Sequence, residues 1–371
     1  MPITVKRSAS SYHKSNPQPT DSPVGAYGAK LMATQNAAQA SALVGPTGFK
    51  NHIINGDFRI WQRGTTGATN TTTGIDSADR FWVNKSSGTG YGSRFTFTRG
   101  DKYVPGNPTY GYKLTCTVGN NNMGVLQKIE DVRAFLGRYV TLSFWAKGTN
   151  PGGGHFKSSW IKSYDSAANN GEWTIADNIV LNEDWQFYSF TTKVPNAPAA
   201  QTINDTESYL WCDILRQPGD DTSTNPWEIY LANVQLEYGS QPTEFEFRPM
   251  AVELALCHRF FYRATKLGST SEVTNRPICL GFYFSNSEIR GVVDFPVEMR
   301  AQPSLSSNDN SSSYYIQRNS GADMFDRLEL YIASKKRCSV RNYSHVSGTA
   351  GNAGLISQET GDSILTFNAE L

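Results

Sequence analysis

From Asn51 onward, apolar and polar residues alternate with a period of two through much of the chain. In "YVTLSFWA" Val140, Leu142, Phe144 and Ala146 share one parity, while Tyr139, Thr141, Ser143 and Trp145 share the other. That is the spacing of a strand with two different faces. "WQFYSFTTKV" and "WEIYLANVQLE" repeat it, and Gly/Asn-rich stretches such as "GTNPGGGH" and "SAANNGE" separate the repeats as sandwich loops do. One segment departs from the pattern: in "VLQKIEDVRAFLG", Ile129, Val132, Phe135 and Leu136 fall on one helical face and Gly137 offers a stop. A short capping helix is expected there. The strongest helical spacing is in "RPMAVELALCHRFFYRA", with Pro249 at the first position and Val252, Ala255, Leu256, Cys257 and Phe260 as an apolar stripe. After Gly268 alternation resumes in "ICLGFYFS", "GVVDFPVEMR" and "ILTFNAEL", where Leu365, Phe367, Ala369 and Leu371 share a parity. The pattern therefore predicts an all-β fold: an antiparallel β-sandwich over 51–246, a linking helix over 247–264 and a small β domain over 265–371.

Residues 1–50 read differently. "MPITVKRSASSYHKSNPQPTDSPVGAYG" has no periodic apolar positions and cannot bury itself, so an extended arm that orders on a neighbour is expected. "GAKLMATQNAAQASALVG" follows with good helix formers. Two readings stand for it: a short helix packing Leu31, Met32 and its alanines on another copy, or a weakly helical linker.

Composition strengthens the strand reading, with 32 Gly, 18 Tyr, 19 Phe and 8 Trp against 18% charged residues. Lys+Arg at 34 and Asp+Glu at 33 leave a net charge of +1, so no global field favours nucleic acid or an anionic membrane. Cys116, Cys212, Cys257, Cys279 and Cys338 are odd in number and form no CxxC pair, which suits buried thiols better than disulfides or zinc. No signal-peptide pattern and no membrane-length apolar run is present.

Catalytic signals are sparse. His13, His52, His155, His258 and His345 lie far apart without HExxH spacing, and GxSxG, GxxxxGK[ST] and strand-linked GxGxxG patterns are missing. "GTGYGS" at 88–93 reads as a loop without a following helix. The adjacent acids Asp220 and Asp221, and Glu183 and Asp184, read as solvated turns rather than a hydrolytic pair. No enzyme and no cofactor are expected. The aromatic residues are more suggestive: Tyr91, Trp160, Tyr164, Trp173 and Trp227 stand in or beside polar, Gly/Asn-rich segments and are the candidates for stacking on a glycan. Trp82, Trp145, Trp185 and Trp211 read as core or edge fillers.

In order along the chain, "NHIINGDFRIWQRG", "SADRFWV", "YVTLSFWAKG", "WQFYSFT" and "VQLEYGSQPTEFEFRPMAVELALCHRFFYR" resemble a bacteriophage tail fibre and virion structural protein family, over roughly Asn51 to Arg263. "FPVEMRAQPSL" and "FNAEL" are similar to the small β domain that often follows in that family. The resemblance implies a carbohydrate-binding-module-like jelly roll and a protein that sits in the virion after synthesis in the host cytoplasm. It further implies a homotrimer joined to other virion proteins through residues 1–50, with no catalytic residues. A host-surface glycan is the implied ligand, and a capsid-decoration, head-fibre or connector protein without glycan binding is the alternative. A polysaccharide depolymerase fits less well, since the internal repeats of a β-helix are missing. In calcium-bearing sandwiches of this type, an opening Asn-Gly turn and an acid in the last strand hold an ion. Here Ala232 stands where that acid belongs, leaving Asp57 and Glu237 as the metal candidates, and no bound calcium is expected.

Overall fold

A computed structural model describes residues 49–371 apart from 68–72, 76, 86–88, 99–103, 119–122, 150–153, 165–171, 200, 205, 218–225, 266–275, 309–311, 320 and 360–362. The expected arm and its helix at 28–45, and the acids Asp220 and Asp221, lie outside the described residues.

From Asn51 to Leu371 the chain forms one compact unit. Its first half is an antiparallel sandwich of two five-stranded sheets. The first sheet has the order β1 (Trp82–Asn84), β4 (Gly124–Glu130), β9 (Tyr209–Arg216), β6 (Phe156–Ser163) and β7 (Glu172–Ile179). The second has the order β2 (Thr89–Thr96), β3 (Tyr110–Val118), β10 (Trp227–Tyr238), β5 (Tyr139–Gly148) and β8 (Gln186–Lys193). Between them Leu114, Val125, Val140, Leu142, Phe144, Leu210, Ile229 and Leu231 fill one core. The period-two positions of β5 and β10 point into it, as their alternation dictates.

The second half holds a three-stranded sheet, β11 (Phe261–Arg263), β20 (Leu365–Asn368) and β14 (Ser304–Ser307). It also holds a seven-stranded sheet, β16 (Gly321–Phe325), β15 (Tyr314–Arg318), β19 (Ala353–Gln358), β12 (Arg276–Ser285), β13 (Glu288–Asp294), β18 (Arg337–Asn342) and β17 (Glu329–Ala333). Tyr283, Ile289, Val340, Ile356, Leu365 and Phe367 belong to their shared core.

Three sequence expectations change. The "VLQKIEDVRAFLG" segment is mostly strand β4, and only Val132–Ala134 turns into a 3-10 helix. Pairing of β4 with β1 and β9, with a register shift between Val125 and Leu126 against β9, outweighs the helical spacing. "GTGYGS" contributes Thr89–Ser93 to β2 rather than a loop. Helix α1 (Met250–His258) starts after Pro249 and stops short of "FFYR", which begins β11. The residues it buries are Glu253 and Cys257, while Val252, Ala255 and Leu256 line an apolar surface groove of about 390 Å³ with Val297.

Glu253 is buried because it closes a polar latch. Pairing with β3 ends at Leu231, and beyond it the opening segment 51–56 takes the backbone groups of β10. Asn51 Oδ1 accepts the N–H groups of Ile53 (2.9 Å) and Leu236 (3.0 Å), and its Nδ2 donates to Val234 O at 3.1 Å. Gly56 O accepts from Val234 N at 2.9 Å, and a Cβ on Gly56 would stand 2.1 Å from Val234 O, so only glycine allows this approach. Arg248 donates to Ile53 O (3.2 Å), to Asn51 O and to both Glu253 oxygens (3.2 Å). Glu253 in turn accepts the Asn55 N–H, and Asn55, at φ 62°, ties Ile60 and Asp79 through its side chain.

His52 packs edge-on against Phe135 and Tyr238, at 5.0 and 4.4 Å between centroids. Burial first, then the Arg248 charge, lowers its pKa from 6.5 to about 4. The neutral ring thus contributes stability that is complete above pH 6.5 and lost as pH falls toward 4, worth about 3 kcal/mol over that span. Asp213, pushed up to about 6 by burial, works in the opposite sense, its native site gaining protons and stability as pH falls through 6. A H52F variant compared with the unaltered protein isolates the histidine: its unfolding midpoint relative to wild type should climb between pH 6.5 and 4. A constant difference across that range would contradict the assignment.

Candidate functional site: the outward face of the second sheet

The outward faces of the two sheets are not equivalent. On the first, β4 residues Lys128 and Glu130 meet the C-terminal half: Lys128 Nζ donates to Leu371 O at 3.0 Å, and Arg259 pairs with Glu130 at 2.7 Å. The second sheet's outward face carries an aromatic and ionic array set by register. Tyr91, Thr115 and Glu228 form one row, and Ser93, Lys113, Tyr230 and Lys147 form the next. One step further, Phe95 stands opposite Gly111, while Ala232, Trp145 and Phe187 lie side by side.

A second small apolar cluster forms over this sheet. Val104, Trp185 and Ala232 are buried beneath Phe95, Phe97, Trp145 and Tyr230. Trp185 stacks on Phe97 at 5.2 Å, and Phe95 meets Tyr230 edge-on at 5.3 Å. Lys147 Nζ lies 5.5, 5.3 and 5.3 Å from the centroids of Phe95, Trp185 and Tyr230, within cation–π range of all three.

Next to this cluster is a cleft of about 220 Å³ lined by Phe95, Lys147, Gly148, Thr149, Glu183, Glu228 and Tyr230. The carboxylate of Glu228 accepts from Lys113 Nζ (2.7 Å) and the Tyr230 hydroxyl (2.9 Å), and its N–H donates to Thr149 Oγ1 at 2.9 Å. Burial disfavours both charges, but their mutual hydrogen bond and the Tyr230 hydroxyl outweigh it. Lys113 is held above its ordinary range and Glu228 below. A carboxyl kept ionised accepts hydrogen bonds well and donates protons poorly. The arrangement offers flat apolar rings beside fixed donors and acceptors, which is binding chemistry for a polyhydroxylated ring.

Of the aromatic candidates taken from the sequence, Tyr91 is on this face, half-buried at the β2 edge. Trp160, Tyr164 and Trp227 are a correction: all three are buried. Trp160 donates to Ser158 Oγ (3.2 Å) and Asp213 O (3.3 Å), and Trp227 packs on Phe156 at 5.1 Å and donates to Gln217 Oε1 at 3.3 Å. Neither indole has a face left for a ligand. Trp173 is half-buried against Trp160 on β7, at the edge of the sandwich away from β2. The cleft residues not singled out from the sequence are Phe95, Lys147, Glu228 and Tyr230, while Glu183 lines the cleft and Trp185 is buried, as a core or edge filler should be. The parity of Trp145, opposite to the core residues of β5, was the available signal.

Asp57 and Glu237 are not brought together as metal ligands: Asp57 pairs with Arg59, and Glu237 accepts from Gln235 Nε2 (2.9 Å) and from Thr243 N (2.8 Å) and Oγ1 (2.6 Å). Among the described residues, no group of three or more His, Cys, Asp or Glu is placed to hold a metal ion.

No protein-family model and no curated protein matches the chain. Among solved structures it is similar to a putative sugar binding protein from Bacteroides thetaiotaomicron, at 14% identity over 51% of this chain and 100% of that one, with a TM-score of 0.30. It is also similar to the enzymatically active domain of tailspike protein 4 of bacteriophage CBA120, at 17% identity over 51% of this chain and 21% of that one, with a TM-score of 0.27. A third is the family 11 carbohydrate-binding module of a Clostridium thermocellum cellulosomal cellulase, at 11% identity over 48% of this chain and 99% of that one, with a TM-score of 0.26.

Proposed function

We propose that the chain is a non-enzymatic virion protein, a tail fibre or tail-associated fibre, joined to the particle through residues 1–50. Its sandwich offers the outward face of the second sheet to a host-surface glycan. The particle role rests on the ordered motifs from "NHIINGDFRIWQRG" to "FNAEL". The observation that carries glycan binding is the cleft, where Phe95 and Tyr230 supply stacking surface and Glu183, Glu228, Lys147 and Thr149 supply polar groups. At about 220 Å³ it suits a single sugar unit of a longer chain, being smaller than the pockets that enclose whole drug-sized ligands.

Purified full chain should bind immobilised host-envelope polysaccharide, and Phe95→Ala or Tyr230→Ala should weaken that binding about tenfold or more, equivalent to about 1.4 kcal/mol. Circular dichroism checks that the variants fold. Unchanged binding by both folded variants would remove the cleft from the proposal.

A purely architectural role is the second reading, favoured by the burial of Trp160, Tyr164 and Trp227. Under that reading no envelope polysaccharide is retained, while deletion of residues 1–50 still prevents incorporation into particles.

A further inference from the structure

On the reading that the cleft takes one unit of a glycan, the neighbouring units need surface of their own, and register shows where that surface lies. Trp145 stands two residues from Lys147 on the same outward face of β5, about 6.7 Å away along the strand. It pairs across to Phe187 of β8, and the two ring centroids are 5.7 Å apart with their planes tilted by 52°. Trp145 is half-buried, packed on the cluster of Val104, Trp185 and Ala232, whereas Phe187 is 46% exposed. The next row is hydroxylic: Ser143 of β5 lies opposite Ser189 of β8, which is exposed. Further along, the chain after β10 crosses the face, where Thr141 Oγ1 donates to Gly239 O at 3.0 Å and Gln235 Nε2 to Glu244 O at 3.3 Å. Phe187 therefore sits on a short open shelf between the cleft and that crossing.

The chemistry of the shelf narrows its occupant. Ala232, Trp145 and Phe187 form one row and Gln235, Ser143 and Ser189 the other, so neither carries a charge that would select an ionic ligand. A protein partner would need far more area. One ring of this kind presents about 150–250 Å² even when fully exposed, against about 800 Å² buried by each partner of a standard interface. A single ring flanked by hydroxyls matches one sugar face, whose C–H groups stack while its hydroxyls reach neutral polar side chains.

We infer that Trp145 and Phe187 form a second stacking subsite beside the cleft, so that the face takes an internal stretch of a polysaccharide rather than a chain end or a free monosaccharide. The two subsites divide the work. The cleft makes the charged contacts, with Glu228 fixed by Lys113 and the Tyr230 hydroxyl. The shelf adds stacking and neutral hydrogen bonds, and because its sugar unit is tethered by the one in the cleft, it gains from a high effective concentration. Its ring stands on a hydrogen-bonded strand next to Trp145, which lowers the ordering cost of binding.

The test compares binding of the full chain to immobilised host-envelope polysaccharide with binding to the monosaccharides released from it by acid hydrolysis, the latter followed by ligand-observed NMR. Phe187→Ala should weaken polysaccharide binding about tenfold and leave monosaccharide binding unchanged, while Phe95→Ala should weaken both. Phe187→Tyr keeps the ring and should bind polysaccharide like the unaltered chain. Undiminished polysaccharide binding by a Phe187→Ala variant whose circular dichroism is unaltered overturns the inference. So does a monosaccharide affinity that falls in step with it. In either case a loss in Phe95→Ala leaves the glycan reading of the cleft standing, whereas an unaltered chain that retains no polysaccharide removes both.

Discussion

An Arg248→Ala variant is expected to lose about 3–5 kcal/mol of stability, the usual consequence of stripping one partner from a buried ion pair. Arg248 is the hub of the latch: its side chain holds Asn51 O, Ile53 O and Glu253 at once. Without it, two carbonyls and a carboxylate remain buried with fewer donors, and the Glu253 bond to Asn55 loses its counter-charge. Burial already pushes the Glu253 carboxyl above its ordinary range. A denaturant midpoint measures the loss, and a fall of less than 1 kcal/mol would show that the latch is not a stabilising element. The paired variant Arg248→Met/Glu253→Leu should recover part of the loss, because it leaves no uncompensated charge.

Glu370→Gln should cost about 3 kcal/mol for the same physical reason. Glu370 pairs with Arg63 at 3.1 Å and with Arg80, and these guanidinium groups rest on the rings of Phe261 and Phe260, each at 3.5 Å. Arg63 keeps Asp79 at 3.6 Å, but Arg80 loses its carboxylate. The loss should be regional as well as global. Amide exchange in β11, β14 and β20 should quicken while that of β5 and β10 stays slow. Equal quickening in all five would mean that Glu370 does not hold the C-terminal sheet to the sandwich.

How much of this was legible differs by element. Strands β5, β8 and β10 could be read directly, because one face of each is core and alternation records it. The same rule, applied more strictly, would have placed Trp227 in the core, since it shares parity with Ile229 and Leu231; its polar neighbours drew attention instead. The cleft was harder to see. It depends on which outward face the C-terminal half covers, and that follows from contacts such as Arg259 with Glu130, 129 residues apart. Helix α1 hid its true orientation for a related reason: a buried Glu253 makes sense only once Arg248 and Asn55 are known to meet it.

The opening turn also has a mechanical meaning. Asn51 grips β10, and β10 is hydrogen-bonded to β3 on one side and β5 on the other. A pull on residue 51 is passed to a central strand of the sheet rather than to an edge. Were residues 1–50 to anchor the chain as proposed, load would enter through the segment "NHIINGDF" onto the strand that also carries the cleft.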